Sequence, residues 1–382
     1  MMRIGMVAQS MSRANGGVSE AMHRFCEAIA DRGEGHALHI FAAEDAYSRE
    51  DSRRFDGLAT VHLAKAYGVR RFPVAPRLAG LMEAADLDVL HVHGIWAAHG
   101  WSALRWHRRT GKPVVIAPHG MVEPWILKRS PRLKHWVSRL FQDDLFRRAA
   151  TVHVLTDNEG RDVRALYPQA RLDEVPNLVP PAPPHDGQHP GWWADSHAGR
   201  KIFLFFGRIH RKKGVEELVQ AWRRLAAARS GWRDEALLVF CGWVDDFPEF
   251  EALVAEAQSE TGSVLYAGPQ YGADKWRSFA AADYMLLPSK SEGLPLAILE
   301  SWSGGVPTIM TQECNLPLGF STGAAICCDV SPDGIASALA QAADEGPERH
   351  AERAAASRRL IAGTYSSERV GRTLLAMYEG TL

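Results

Sequence analysis

The stretch SEGLPLAILE (291–300) carries two carboxylates, Glu292 and Glu300, around a Gly and a Pro, directly after the apolar run YMLLP (284–288). A strand, a Gly-containing loop and a helix in that order make an anion site, because the free N–H groups of the first helical turn and the helix dipole favour negative charge. Pro295 suits the first helical position, where its missing N–H costs nothing. Two carboxylates touching a phosphate there would repel it, so they are better placed to accept hydrogen bonds from hydroxyls, a sugar on one side and a ribose on the other. A second pair, Arg208 and Lys213, stands in FGRIHRKKG (206–214), between an apolar run and an amphipathic helix. The planar fork of Arg and the compact charge of Lys together suit a diphosphate. Gly16 and Gly17, in SRANGGVSEAMHRF (12–25), permit close backbone approach and positive φ beside a helix start. His93 in VLHVHGIW and His119 in VIAPHGMV end apolar runs, where an imidazole can serve as proton partner or hydrogen-bond donor near neutral pH. Plainer readings stand beside each: a solvated Glu292 with Glu300 on an exposed helix face, a solvated basic loop, an ordinary Gly-Gly turn, and histidines with structural roles.

The elements that would position these groups alternate along the whole chain. RIGMVAQ, ALHIFAA, LDVLHVHG, PVVIAPHG and TVHVLT read as strands separated by helical stretches, and the alternation resumes with KIFLFFGR, ALLVFCGW, SVLYAG, YMLLP and PTIMT. Continuous apolar strands alternating with helices imply parallel sheets covered on both faces. Between the two sets lies a Pro-, Gly- and His-rich segment, residues 176–200, which reads as a linker with a hinge near 178–198. The spacing therefore predicts an α/β protein of two doubly wound domains, 1–180 and 198–365, as the length of 382 residues also suggests. A last helix, 366–382, with Val370, Leu374, Met377 and Tyr378 at helical spacing, is expected to pack back on the first domain.

FGRIHRKKG, GPQYGADK and SEGLPLAILESWSGGVPTIMT, in this order and spacing, closely resemble glycosyltransferase family 4. HGIW, PHGMVEPW and TQECNLPLGF look most like bacterial members that build exopolysaccharide, capsule or O-antigen. The resemblance covers nearly the whole chain. It implies two Rossmann-like domains facing a cleft (the GT-B fold) and transfer of a sugar from a nucleoside diphosphate sugar to a glycan acceptor with retention of configuration. Arg208 and Lys213 would hold the diphosphate, Glu300 the ribose hydroxyls and Glu292 a hydroxyl of the donor sugar. Gly293 and Leu294 would offer backbone N–H groups; many relatives carry a second Gly where this chain has Pro295, which has no N–H to give. Gln270 and Tyr271 fall where the family faces the base, Gly16 and Gly17 where its first glycine-rich loop meets the donor phosphates, His119 near the donor sugar and His93 on the acceptor side. Retention is usually explained by same-face attack as the diphosphate departs, so catalysis would rest on positioning and on stabilising leaving-group charge, with Arg208 and Lys213 prominent. No pair of carboxylates suggests a double displacement. The only D-x-D, Asp86 and Asp88, precedes a strand, a poor place for a metal bridge, and no metal or other cofactor is expected. A nucleotide-sugar epimerase of the same fold and a non-catalytic nucleotide-sugar-binding subunit remain alternatives. A dehydrogenase is disfavoured because no G-x-G-x-x-G follows the first strand.

Apolar content of 46% and charged content of 23% describe a water-soluble globular chain, and the five cysteines form no C-x-x-C pair. The N-terminal run is too short for a signal peptide and no 18-residue uncharged span occurs, so a cytoplasmic protein is expected. The net charge of -1 conceals an asymmetry: up to residue 185 there are 25 Lys and Arg against 20 Asp and Glu, and beyond it 19 against 25. Eleven of the basic residues lie within 102–148, facing only Glu123, Asp143 and Asp144. That is one basic region and not a nucleic-acid-binding protein. KRSPRLKHWVSRLFQDDLFRR (128–148) mixes its seven cations with Trp136, Leu140, Phe141 and Phe146, as a peripheral contact with an anionic membrane and a lipid-linked oligosaccharide acceptor would require. KAYGVRRFPVAPR (65–77) is a smaller cluster of the same kind. The alternative is a solvated helix whose apolar residues face the core.

Overall fold

Apolar strands that run without polar interruption need cover on both faces, and the computed structural model, which describes residues 1–69 and 72–382, provides it twice. The first sheet contains β1 (Arg3–Ala8), β2 (Ala37–Ala43), β3 (Thr60–Ala64), β4 (Val89–His93), β5 (Val114–Ala117), β6 (Thr151–Val154) and β7 (Leu172–Glu174), in the order β3-β2-β1-β4-β5-β6-β7. The second contains β8 (Lys201–Phe206), β9 (Ala236–Cys241), β10 (Val264–Gly268), β11 (Tyr284–Leu287), β12 (Thr308–Met310) and β13 (Ala325–Cys327), in the order β10-β9-β8-β11-β12-β13. Pairing is parallel throughout. Each order is that of a doubly wound Rossmann-type sheet, in which the winding reverses beside the first strand.

The chain divides into two compact units, Met1–Leu178 with Tyr365–Leu382, and Val179–Thr364. The segment read as a linker belongs, from Val179 onward, to the second unit. Asp186 pairs with Arg277 at 2.7 Å and the Trp192 indole N–H donates to Ser278 Oγ at 2.9 Å, so the chain is fastened there from soon after residue 179. In the first unit one face of the sheet is covered by residues such as Leu78, Met82, Trp106, Phe141 and Leu145. On the other face Met22, Phe25 and Ile29 meet Val370, Leu374, Met377 and Tyr378 of the helix Ser367–Glu379. That helix lies against the helix Gly17–Ala30 closely enough that a Cβ on Gly371 would come 2.4 Å from the Ala28 carbonyl oxygen. No helix among the described residues is long and apolar enough to cross a membrane.

Candidate active site

In a sheet of this order ligands bind beyond the carboxyl ends of the strands where the winding reverses, which in the second unit is between β8 and β11. The loops that leave those two ends, 207–214 and 288–295, are pressed together there. Gly214 has φ +68°, and a Cβ on it would come 2.0 Å from the Pro288 carbonyl oxygen, so only Gly permits the approach. The Lys290 N–H donates to the Lys212 carbonyl at 2.8 Å, closing the two loops on each other.

This contact brings Lys213 Nζ to 2.6 Å from Glu292 Oε1, with the two side chains only 15% and 11% exposed. Ser289 Oγ donates to the same oxygen at 2.6 Å. The backbone of Glu292 is held by its own N–H on the Glu313 carbonyl at 3.0 Å, and the Asn315 amide donates to the carbonyls of Glu292 and, at 3.2 Å, Gly293. Burial, the largest single effect, would raise the Glu292 pKa, but the charges of Lys213 and Lys212 and the hydrogen bonds from Lys213 and Ser289 together outweigh it and keep the carboxyl below its ordinary range. Glu292 is therefore not a solvated loop carboxylate.

Glu300 is likewise buried, in the helix Leu296–Ser303, and its Oε1 lies 2.8 Å from Lys275 Nζ on the helix Gly272–Ala280. Each glutamate of the opening motif thus has a lysine from a distant part of the sequence. Pro295 is the cap residue rather than the first helical one, its ψ of 114° still extended. Leu294 is buried and Gly293 partly so. Arg208 is half exposed and pairs with Asp245 at 3.0 Å. Gln270 turns its amide onto the Ala267 carbonyl at 2.8 Å, closing its own turn, and Tyr271 caps the next helix with 67% of its surface exposed.

In the first unit, His93 ends β4 at the reversal point between β1 and β4, and its Nδ1 lies 2.9 Å from Nε2 of His119 in the loop after β5. Neither ring is poised near neutral pH. Burial, then the neighbouring His91, holds His93 far below its ordinary value, and burial, then His153, pushes His119 down to about 3. Both are neutral hydrogen-bonding groups at pH 7. Gly16 has φ +55° and caps the helix Gly17–Ala30, and nothing lies within 4 Å of a Cβ built on Gly16 or Gly17. Asp86 is paired with Lys112 at 2.9 Å, and Asp88 accepts the Arg3 N–H at 2.8 Å.

Several residues escaped sequence reasoning. Lys275 lay inside the quoted GADK, but its pairing with Glu300 is made across two helices. His91, His153 and Tyr378 form a buried chain whose polarity follows from its end: the Val175 carbonyl can only accept, so His153 Nε2–H donates to it at 2.7 Å. In the neutral ring Nδ1 then accepts from His91 Nε2–H at 3.2 Å, and His91 Nδ1 accepts from the Tyr378 hydroxyl at 2.8 Å. The only signal in the sequence was the alternation of histidines in LHVH and VHV, which reads equally well as polar residues of a strand. Glu159 is 2% exposed, and burial raises its carboxyl to about 7.

The basic stretch divides its apolar residues between two faces. Val137, Phe141, Leu145 and Phe146 are in the core of the first unit, so for Phe141 and Phe146 the plainer reading holds. Leu133, Trp136 and Leu140 stand outward at 46%, 64% and 72% exposure, beside exposed Arg132 and Arg139. Lys134 is turned instead onto the carbonyls of Ile126 and, at 2.8 Å, Arg129. In the smaller cluster Arg70 and Arg71 lie outside the described residues.

Solved structures share the fold with its two Rossmann-like domains. Sucrose-phosphate synthase from Thermosynechococcus elongatus superposes with a TM-score of 0.75 at 16% identity, covering 99% of this chain and 98% of its own. Anabaena HepE in complex with UDP and glucose gives 0.73 at 15%, covering 99% and 100%. Both show a GT-B glycosyltransferase fold. Residues 16–178 match the family described as Glycosyl transferase 4-like domain and residues 194–359 match Glycosyl transferases group 1, and the chain belongs to the family 4-like glycosyltransferases. Among sequence relatives, the GDP-mannose:cellobiosyl-diphosphopolyprenol alpha-mannosyltransferase of Xanthomonas campestris is 25% identical over 64% of this chain and 60% of its own length. A D-inositol 3-phosphate glycosyltransferase of Nocardiopsis dassonvillei is 24% identical over 81% and 76%.

Proposed function

We propose that this glycosyltransferase takes a hexose from a nucleoside diphosphate sugar and transfers it, with retention of configuration, to a lipid-linked glycan acceptor in the synthesis of a bacterial surface polysaccharide. The observation that carries the reading is the buried Lys213–Glu292 pair at the reversal point of the second sheet, in the loop that also carries Arg208. A departing diphosphate needs fixed positive charge, and Lys213 with Arg208 supplies it where the helix Val215–Ala228 also begins. Glu292 accepts a hydroxyl of the donor sugar, its carboxylate kept ionised by Lys213, and Glu300, steadied by Lys275, accepts the ribose hydroxyls. His119 of the first unit, neutral at pH 7, is a hydrogen-bond donor to a substrate sugar. Both site carboxylates are already neutralised by lysines, which disfavours them as metal ligands, and the transfer proceeds on protein cations alone.

A lipid-linked acceptor agrees with the outward Leu133, Trp136 and Leu140 among arginines, a composition suited to the headgroup level of an anionic leaflet. It also agrees with the polyprenol-linked acceptor in the name of the Xanthomonas relative, while the GDP-mannose of that name and the UDP bound by Anabaena HepE point to different bases. The test is to screen UDP- and GDP-sugars for thermal stabilisation, which at 100 times the dissociation constant amounts to about 2.7 kcal/mol. The stabilising donor is then assayed, with and without a chelator, on polyprenol-linked glycans, and the anomeric proton of the product is read by NMR. A retained anomer formed at equal rate with the chelator is expected; an inverted anomer, or loss of turnover on chelation, overturns the reading.

A further inference from the structure

His119 has φ +54°, the left-handed region that few residues other than Gly enter, so its loop must be held from outside. The holding group is Glu159. Its Oε1 accepts the Gly120 N–H at 2.5 Å and its Oε2 accepts the Leu155 N–H at 2.7 Å. Thr156-Asp157-Asn158-Glu159 has the order of a capping box, and Thr156 does cap the helix Asp157–Leu166 by accepting the Glu159 N–H at 3.2 Å. In such a box the glutamate returns to the backbone N–H of the cap residue itself. Here one oxygen has moved a residue further back, to Leu155, and the other crosses to the loop after β5. The helix start needs only a local acceptor, whereas Glu159 buries a carboxyl group whose two oxygens join two loops, which is costly unless the joining matters.

We propose that Glu159 is a positioning residue, which clamps the Gly120 amide and so fixes the backbone and ring direction of the adjacent His119. The other side of the ring is set by His93. Nε2 of His93 is buried without a partner, and a bare lone pair there costs less than a bare N–H, so the proton of His93 sits on Nδ1 and is donated to His119 Nε2. His119 then carries its own proton on Nδ1. Glu159 and His93 together present that N–H in one direction, ready to donate. The inference rests on the reading of His119 as a hydrogen-bond donor to a substrate sugar, but the clamp itself can be tested without substrate.

The full chain is labelled with 15N-histidine, and long-range 15N–1H spectra, with His119→Asn for assignment, report the tautomer of His119. The wild type is expected to show the Nδ1–H form. In Glu159→Gln, whose amide points an NH2 at one of the two backbone N–H groups, the His119 signals should shift or broaden. Those of His350 in the second unit, bonded to the Asp283 carbonyl at 2.9 Å, should stay. Thr156→Ala removes the cap alone and should leave His119 unmoved; if it moves His119 as Glu159→Gln does, the role is only that of a helix cap and the proposal fails. Glu159→Asp, which keeps the carboxyl group and shortens the reach, is read in the same way should the Gln variant lose its fold. Unchanged His119 signals in a folded Glu159 variant overturn the proposal. With the donor selected from UDP-glucose and GDP-mannose, kcat should fall about tenfold in Glu159→Gln while the donor KM stays within about twofold, as for a misdirected group. If His119→Ala turns over at the wild-type rate, the role of His119 is wrong while the spectra still decide the clamp.

Discussion

Replacing Lys213 by Ala tests the centre of the site through stability as well as rate. In the wild type Glu292 and Lys213 are 2.6 Å apart and nearly enclosed, so truncating the lysine leaves a buried carboxylate with only the Ser289 hydroxyl and the charge of Lys212 to offset its burial. Leaving one partner of a buried ion pair typically costs about 3–5 kcal/mol. For a unit the size of Val179–Thr364 that is on the order of 10 °C in its melting temperature. The pH dependence identifies the cause. In the wild type the Glu292 pKa lies below the ordinary 4.5, so its contribution is present above 4.5 and lost as the pH falls through the lowered value. Without Lys213, burial is opposed only by the charge of Lys212 and the Ser289 hydroxyl, so the pKa should rise from its wild-type position and the variant's deficit should shrink relative to wild type as the pH falls from 7 towards 5. Adding Glu292→Gln, which still accepts from Ser289, should restore most of the loss at pH 7. Calorimetric scans of wild type, both single variants and the double variant across pH 5 to 8 measure all of this. Turnover in Lys213→Ala should also fall about 100-fold. Arg208→Ala should lose a similar factor with little change in melting temperature, because its pair with Asp245 is half exposed. A Lys213→Ala protein as stable as wild type, or one whose deficit does not shrink with acid, would refute the account of a buried, compensated pair.

Glu300→Ala should weaken binding of the free nucleoside diphosphate in calorimetry, whereas Glu292→Ala should spare it and harm binding or transfer of the full donor; equal losses of nucleoside diphosphate affinity would remove the division of roles. His99 and His153 are buried and pushed from 6.5 down to about 4, so the stability they confer is complete above pH 6.5 and is lost as the pH falls towards 4, at about 3 kcal/mol each. Unfolding scans should show that slope, and replacing His153 by Gln should flatten it; the same slope without His153 refutes the assignment. Wild-type protein should float with anionic liposomes at low salt and release at high salt, and Trp136→Ser with Leu140→Ser, or Arg132→Ser with Arg139→Ser, should abolish it. Wild type that floats with neither anionic nor neutral vesicles ends the membrane reading.

The central strands were legible because enclosure on two faces demands unbroken apolar runs: VLHVH, VVIA, ALLVFC and YMLL are buried along their whole length. The strands not anticipated, β3, β7 and β13, lie at sheet edges, where short, partly exposed segments such as LDE carry little apolar pattern. Arg208, Lys213, Glu292 and Glu300 could be picked out because loops at strand ends concentrate them in short motifs. What the sequence could not express is who meets whom. Lys213 finds Glu292 because Gly214 lets two loops touch, Lys275 finds Glu300 across two helices, and Tyr378 finds His91 because the last helix returns to the first sheet. The same holds for protonation. A histidine at a strand end suggests neutral-pH chemistry by its type, but burial among other imidazoles makes His93 and His119 fixed neutral groups. Residue types and period determine the sheets and which loops carry charge; distances, burial and hence charge states arise only when segments far apart in the chain exclude water from one another.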